Sequence, residues 1–222
     1  MATAGYHSPQ DIPETIPLFP LPRALLLPRV DLPLNIFEPR YLQMIDDVLK
    51  GDRIIGMIQP NEPTEGAETN PALYPIGCAG RLTQFTETGD GRYQVVLTGV
   101  SRFRLLEEVT ADTPYRQCKV DFSAFASDLV PNLGEDEVDR EALLKTLANY
   151  LAANSIDADW SGITQAPTEA LVNGLSLMSP FGVREKQALL EASDLRARAE
   201  LLVAATEIQL AAGDGEENGT LQ

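Results

Sequence analysis

Histidine, cysteine and tryptophan are almost missing from this chain, with one His, two Cys and one Trp among 222 residues. The lone imidazole, His7, sits in a polar N-terminal stretch, so a Ser-His-Asp triad has no base to place between nucleophile and orienting acid. Cys78 and Cys118 are too few and too far apart in sequence for a zinc motif or a disulfide framework, and they read as small core hydrophobes. Only four lysines occur, Lys50, Lys119, Lys145 and Lys186. None lies in a glycine-rich elbow or beside a candidate nucleophile, which closes the Ser-Lys route as well.

Glycine-rich phosphate cradles are missing too: there is no G-x-x-x-x-G-K-[ST], and no G-x-G-x-x-G follows a strand pattern. Positive charge is the minority sign, 17 bases against 33 acids for a net charge of -16. A surface of that sign repels phosphate backbones and anionic headgroups, so neither nucleic acid nor a membrane is the expected partner. No run approaches the roughly 20 apolar residues that cross a bilayer, and the first thirty residues hold no uninterrupted apolar core of a signal peptide. The chain reads as soluble and cytoplasmic. The densest acids, Glu135, Asp136, Glu137 and Asp139, read as a solvated face, because like charges repel and stay wet. No cofactor and no metal is expected.

What is present is apolar patterning, 44% of the residues, enough for one large domain or two small ones. Residues 1–13 and the acidic, glycine-bearing 212–222 read as flexible tails. Pro17 to Tyr41 threads six prolines through an otherwise apolar stretch. Proline has no ladder donor and a fixed φ, so this stretch calls for short, bent, edge-like strands. From Pro39 the period changes: Tyr41, Met44, Ile45 and Val48 share one helical face, and Gly51 follows the end. "RIIGMIQP" reads as a strand and 61–70 as a surface loop.

Alternation then becomes clean, with Tyr93, Val95 and Leu97 opposing Gln94 and Thr98, Phe103 and Leu105 alternating with Arg102 and Arg104, and Cys118, Val120 and Phe122 alternating with Lys119 and Asp121. Each strand is expected to have one wet and one dry face, and "GDG" at 89–91 is a hairpin signal. After the composition break at 127–136 the period is helical, in stripes at Leu143 to Leu151, Leu171 to Met178, Val183 to Ala192, and from an Asp194 cap to Leu210. Strands first and helices afterwards indicate a segregated α+β protein, in which a barrel-like closure would hide sheet edges. The implied division is a β-barrel subdomain at 14–126, a linker at 127–136 and a helical bundle at 137–211.

Two places carry candidate binding residues. In "FEPRY", Glu38 caps a helix start and can pair with Arg40; beside Tyr41 the two form an aromatic-plus-Arg surface of the kind favoured at binding hot spots. At the "SPFGV" corner, Phe181 is either a core plug or an exposed anchor.

Four stretches, "IPLFPLPRALLLPRVDLPLNIFEPRYLQMI", "PIGCAGRL", "VVLTGVSRFRLLE" and "REKQALLEASDLRARAELL", resemble in order and spacing the N-terminal domain of Lon proteases, in particular free-standing bacterial proteins of that domain. The resemblance spans nearly the whole chain and implies a PUA-like β pseudobarrel with an early inserted helix, followed by a C-terminal helical bundle. It also implies recognition of unfolded or flexible polypeptide, or of a protein partner, as an adaptor in protein quality control. It implies no catalytic residue, since neither an AAA+ motif nor a Ser-Lys proteolytic domain is found. The expectation is a non-catalytic module whose groove, between barrel and bundle, takes apolar side chains. The rival is a small-ligand binder or enzyme using a barrel pocket, and a nucleic-acid reading would require Arg23, Arg29, Arg40, Arg102 and Arg104 to share one face.

Overall fold

The computed structural model describes residues 5–61 and 71–217, and its six strands are β1 (Thr15–Pro20), β2 (Asp31–Ile36), β3 (Ile54–Ile58), β4 (Ile76–Glu87), β5 (Tyr93–Val109) and β6 (Gln117–Asp121). They are hydrogen-bonded in the order β2-β5-β4-β3-β1-β6, and the second half of β5 also pairs with β6. That last pairing, Arg104 with Asp121 through Val109 with Gln117, closes β5, β4, β3, β1 and β6 into a ring. Closure removes most exposed ladder groups. β2 lies outside the ring and, among the described residues, pairs only with the first half of β5. Every pairing is antiparallel except β1 with β3. Pro33 is the third residue of β2, and Pro20 ends β1.

The helix α1 (Pro39–Leu49) follows β2 and buries Tyr41, Met44, Ile45 and Val48, the face read from the period. Gly89 and Gly91 adopt φ of +77° and +80° in the β4–β5 hairpin, a conformation that costs glycine little. The surface-loop reading of 61–70 falls, from 62 on, outside the described residues.

Contacts divide the chain into two units: residues 1–131 with 181–190, and 132–180 with 191–222. The core of the first is built around Ile16, Leu18, Ile54, Val100, Phe103 and Val120. Phe103 is fully buried, edge-on to Phe122 at 6.1 Å, and burial of such a ring contributes about 1.5–3 kcal/mol. The helix α5 (Val183–Glu191) belongs to this unit up to Leu190, whereas the sequence reading had put it with the bundle. Its Gln187 donates to the Ile76 carbonyl at 3.1 Å and accepts from Gln59 at 3.1 Å, side-chain bonds that no hydrophobic period reports.

The second unit holds α2 (Arg140–Ala153), α3 (Trp160–Gln165), α4 (Thr168–Met178) and α6 (Leu195–Glu217), with α6 packed on α2 and α4. Asp139, Asp159 and Asp194 accept from the amides of Ala142, Gly162 and Ala197, three N-caps that start α2, α3 and α6.

Three expectations need correction. Arg102 is not on a wet face: it is 2% exposed, because Asp128 meets it as a buried counter-charge and both faces of Leu97 to Phe103 are covered. Residues 5–13, read as part of a flexible tail, hold a 3-10 turn at Pro9–Asp11 and bury Ile12 in the core, because the Asp11 carboxylate caps the His7 and Ser8 amides; residues 1–4 of that reading lie outside the described residues. The acidic C-terminal stretch continues α6 to Glu217, since a helix already nucleated and packed propagates at little cost per residue, and residues 218–222 of that reading lie outside the described residues.

Candidate binding groove

Three pieces of the first unit meet around an open groove of about 980 Å³: the C-terminal halves of β1 and β2 with the start of α1, and the segment from Glu108 to Arg116. All lining residues belong to that unit, and one of them, Val183, falls in the stretch that the sequence reading gives to the bundle. Its floor is aromatic and aliphatic. The rings of Phe19 and Tyr41 stack obliquely at 4.2 Å, and Leu18, Leu34 and Ile36 flank them. Phe37, at the end of β2, is 62% exposed on the lining. That exposed ring gives the groove an apolar lip.

Charges on the rim come in pairs. Glu38 is the N-cap residue of α1, yet its carboxylate makes no capping bond. It accepts instead from Arg40 Nε and Nη2, both at 2.9 Å. Arg40 in turn lies 4.5 Å from the centre of the Tyr41 ring, a cation–π distance. Across the groove, Arg116 forms a two-pronged bond to Glu108 at 2.9 and 2.8 Å and donates to the Pro71 carbonyl. Paired charges of this kind hold the rim in water without leaving a lone charge facing the apolar floor.

Tyrosine hydroxyls fix the surroundings. Tyr115, on the lining, donates to Asp47 at 3.0 Å, and Tyr93 donates to Asp46 at 3.1 Å, tying α1 to the segment before β6 and to the start of β5. Burial, then the hydrogen bond and charge of Asp47, push the Tyr115 hydroxyl up to about 12. Burial raises Tyr41 as well, partly offset by the Arg40 charge, and the bond to Asp46 raises Tyr93. All three stay protonated near neutral pH, with Tyr93 and Tyr115 as donors.

The structure thus brings Glu38, Arg40 and Tyr41 together on one groove. Phe181 is elsewhere: it is 7% exposed and is not on the lining, the core position of the two readings. Phe19, Phe37, Tyr115 and the Arg116–Glu108 pair were not singled out from sequence. Phe37 carried a local signal, an apolar ring on the solvent side of a helix start, but Tyr115 and Arg116 carried none. Among the described residues no group of His, Cys, Asp and Glu is placed to hold a metal ion, and no helix is long and apolar enough to cross a membrane. Arg102 is buried against the Asp128 carboxylate, so the five arginines do not all lie on one exposed basic face.

Comparison with known proteins agrees with this architecture. The chain is 29% identical over 199 residues to a Lon protease of Parabacteroides distasonis, 28% over 210 residues to Lon protease 2 of Myxococcus xanthus, and 26% over 201 residues to a Lon protease of Dictyoglomus thermophilum. These alignments cover 86%, 91% and 85% of the chain but only 23%, 24% and 24% of the relatives, so the chain spans about a quarter of their length. Among solved structures, the N-terminal domain of a Mycobacterium avium complex Lon protease superposes with a TM-score of 0.63 at 16% identity, over 87% of this chain and 98% of that one. A Lon N-terminal domain protein from Xanthomonas campestris superposes with a TM-score of 0.59 at 24% identity, over 86% and 97%. At these identities the superpositions show the fold. The family model for the ATP-dependent protease La (LON) substrate-binding domain matches residues 15–205, and the chain belongs to that family.

Proposed function

We propose that this chain is a non-catalytic polypeptide-binding module whose binding site is the groove bounded by β1, β2, α1 and Glu108 to Arg116. The observation that carries the reading is the groove's composition: an aromatic floor of Phe19 and Tyr41, an exposed Phe37 lip and rim charges already paired. Such a surface takes apolar side chains of varied sequence, while its charged rim limits self-association. Membership of a substrate-binding-domain family supports the same reading, and the ring of strands with α1 inserted between β2 and β3 supports a PUA-like pseudobarrel. The module acts in the cytoplasm as an adaptor in protein quality control, and the net charge of -16 speaks against nucleic acid as its partner.

Affinity is modest. A flexible chain loses conformational freedom on docking, so about 1,000 Å² of contact supports micromolar binding. Fluorescence anisotropy with a labelled, permanently unfolded polypeptide tests the proposal, using Phe37→Asp as the groove variant. Saturable micromolar binding that weakens at least about tenfold in the variant supports it, that being the loss expected for one anchor side chain. No saturable binding at high micromolar concentration removes it.

A further inference from the structure

β2 has one edge in the sheet and one edge that no described strand covers. Its register to β5 identifies what the open edge presents. The Gly99 amide donates to the Val30 carbonyl at 2.9 Å, and the Arg29 amide donates to the Gly99 carbonyl at 2.9 Å, so a bulge precedes the strand and the hydrogen-bonded pairing starts there. Alternation along an antiparallel ladder then makes Leu32, Leu34 and Ile36 the residues bonded to Leu97, Val95 and Tyr93. Asp31, Pro33 and Asn35 turn their backbone groups outward. Pro33 fits this parity, since its missing N–H costs nothing on the outward side. The open edge therefore offers the amides of Asp31 and Asn35 and the carbonyls of Asp31, Pro33 and Asn35, and its second half, Leu34 to Ile36, is part of the groove lining.

We infer that the groove binds an extended polypeptide segment by strand addition to the open edge of β2, and that the segment it prefers carries net positive charge. The inference deepens the polypeptide-binding reading above and rests on it. Main-chain bonding gives affinity independent of sequence, and alternate side chains of the added strand drop toward Phe19, Tyr41 and Phe37. Charge selects the occupant. A second copy of the chain could pair its own β2 edge here, but each copy carries -16 and the two repel, whereas a lysine- or arginine-bearing segment is steered in.

The probe is a blocked peptide alternating Val and Thr between terminal lysines, with two N-methylated forms, each methylated on one parity of its amides, and a form with glutamates in place of the lysines. The expected result is that only one N-methyl parity loses affinity, by about tenfold or more, since each lost main-chain bond is worth about that factor. Amide exchange of Asp31 and Asn35 slows on binding, while that of Leu32, Leu34 and Ile36 is already slow in the free protein. The glutamate peptide binds more weakly, and the difference shrinks with added salt.

Equal binding by both N-methylated forms overturns strand addition while leaving the groove as a peptide site. Failure of every peptide to bind removes both readings. A concentration-dependent dimer that protects the Asp31 and Asn35 amides without peptide shows the occupant to be a second copy. Equal affinity for lysine and glutamate peptides removes the charge preference.

Discussion

Truncating Asp128 to alanine is the perturbation that most directly tests how the first unit is held together. Its carboxylate accepts three bonds from one residue: the Arg102 amide at 2.9 Å, Nε at 2.8 Å and Nη2 at 2.8 Å. The two side chains are 3% and 8% exposed, and the Arg102 ring contact with Phe125, 4.6 Å to the centroid, keeps the guanidinium inside. Removal of the carboxylate leaves a positive charge in the interior with the Leu190 carbonyl, at 3.1 Å, as a remaining acceptor. Breaking a buried pair from one side costs about 3–5 kcal/mol. At roughly 2–4 °C per kcal/mol for a chain of this size, the melting temperature falls by about 6–20 °C.

The assay is urea denaturation followed by circular dichroism on the parent, Asp128→Ala, Arg102→Met and the double variant. The double variant should regain most of the loss, because it no longer buries a charge whose carboxylate has been removed. A cost below about 1 kcal/mol for Asp128→Ala, or strict additivity in the double variant, would refute the reasoning, since a surface-type pair behaves that way.

Gly99→Ala should cost about 3 kcal/mol, read as a lower urea midpoint, because an added Cβ would stand 1.9 Å from the Leu27 carbonyl oxygen, a backbone atom that cannot swing aside. Stability should fall as pH rises from 10 toward 12, because Tyr115 keeps its proton to about 12 in the folded protein and loses it near 10 when unfolded; Tyr115→Phe should flatten that part of the pH profile. Cys78 and Cys118 are 1% and 0% exposed, and burial pushes the Cys118 thiol up to about 11, so iodoacetamide at pH 8 should modify neither until urea opens the core. Rapid labelling of Cys118 in the folded state would contradict its placement.

The amphipathic period of Pro39 to Leu49 named the buried face of α1 residue by residue, because a single helix turns its own side chains by a fixed angle whatever surrounds it. The turn at Gly89 to Gly91 was legible for a similar reason: the φ demanded by a tight hairpin is a local matter. So was the order of strands before helices, together with the resemblance that four motifs in register supply. Arg102 shows where such reading stops. Alternation put it on the wet face, and only the return of the chain 26 residues later, at Asp128, covers that face.

The groove follows the same rule. Glu38, Arg40 and Tyr41 are neighbours in sequence and were found together, whereas Phe19, Tyr115 and Arg116 reach the same surface through strand pairings between distant segments. Local sequence determined which residues form helices, turns and strands and which faces are apolar, since those follow from backbone geometry and side-chain spacing. Only the tertiary structure decided which strand edge stays open, which charge is buried and which rings share a groove, because each depends on what another part of the chain places against it.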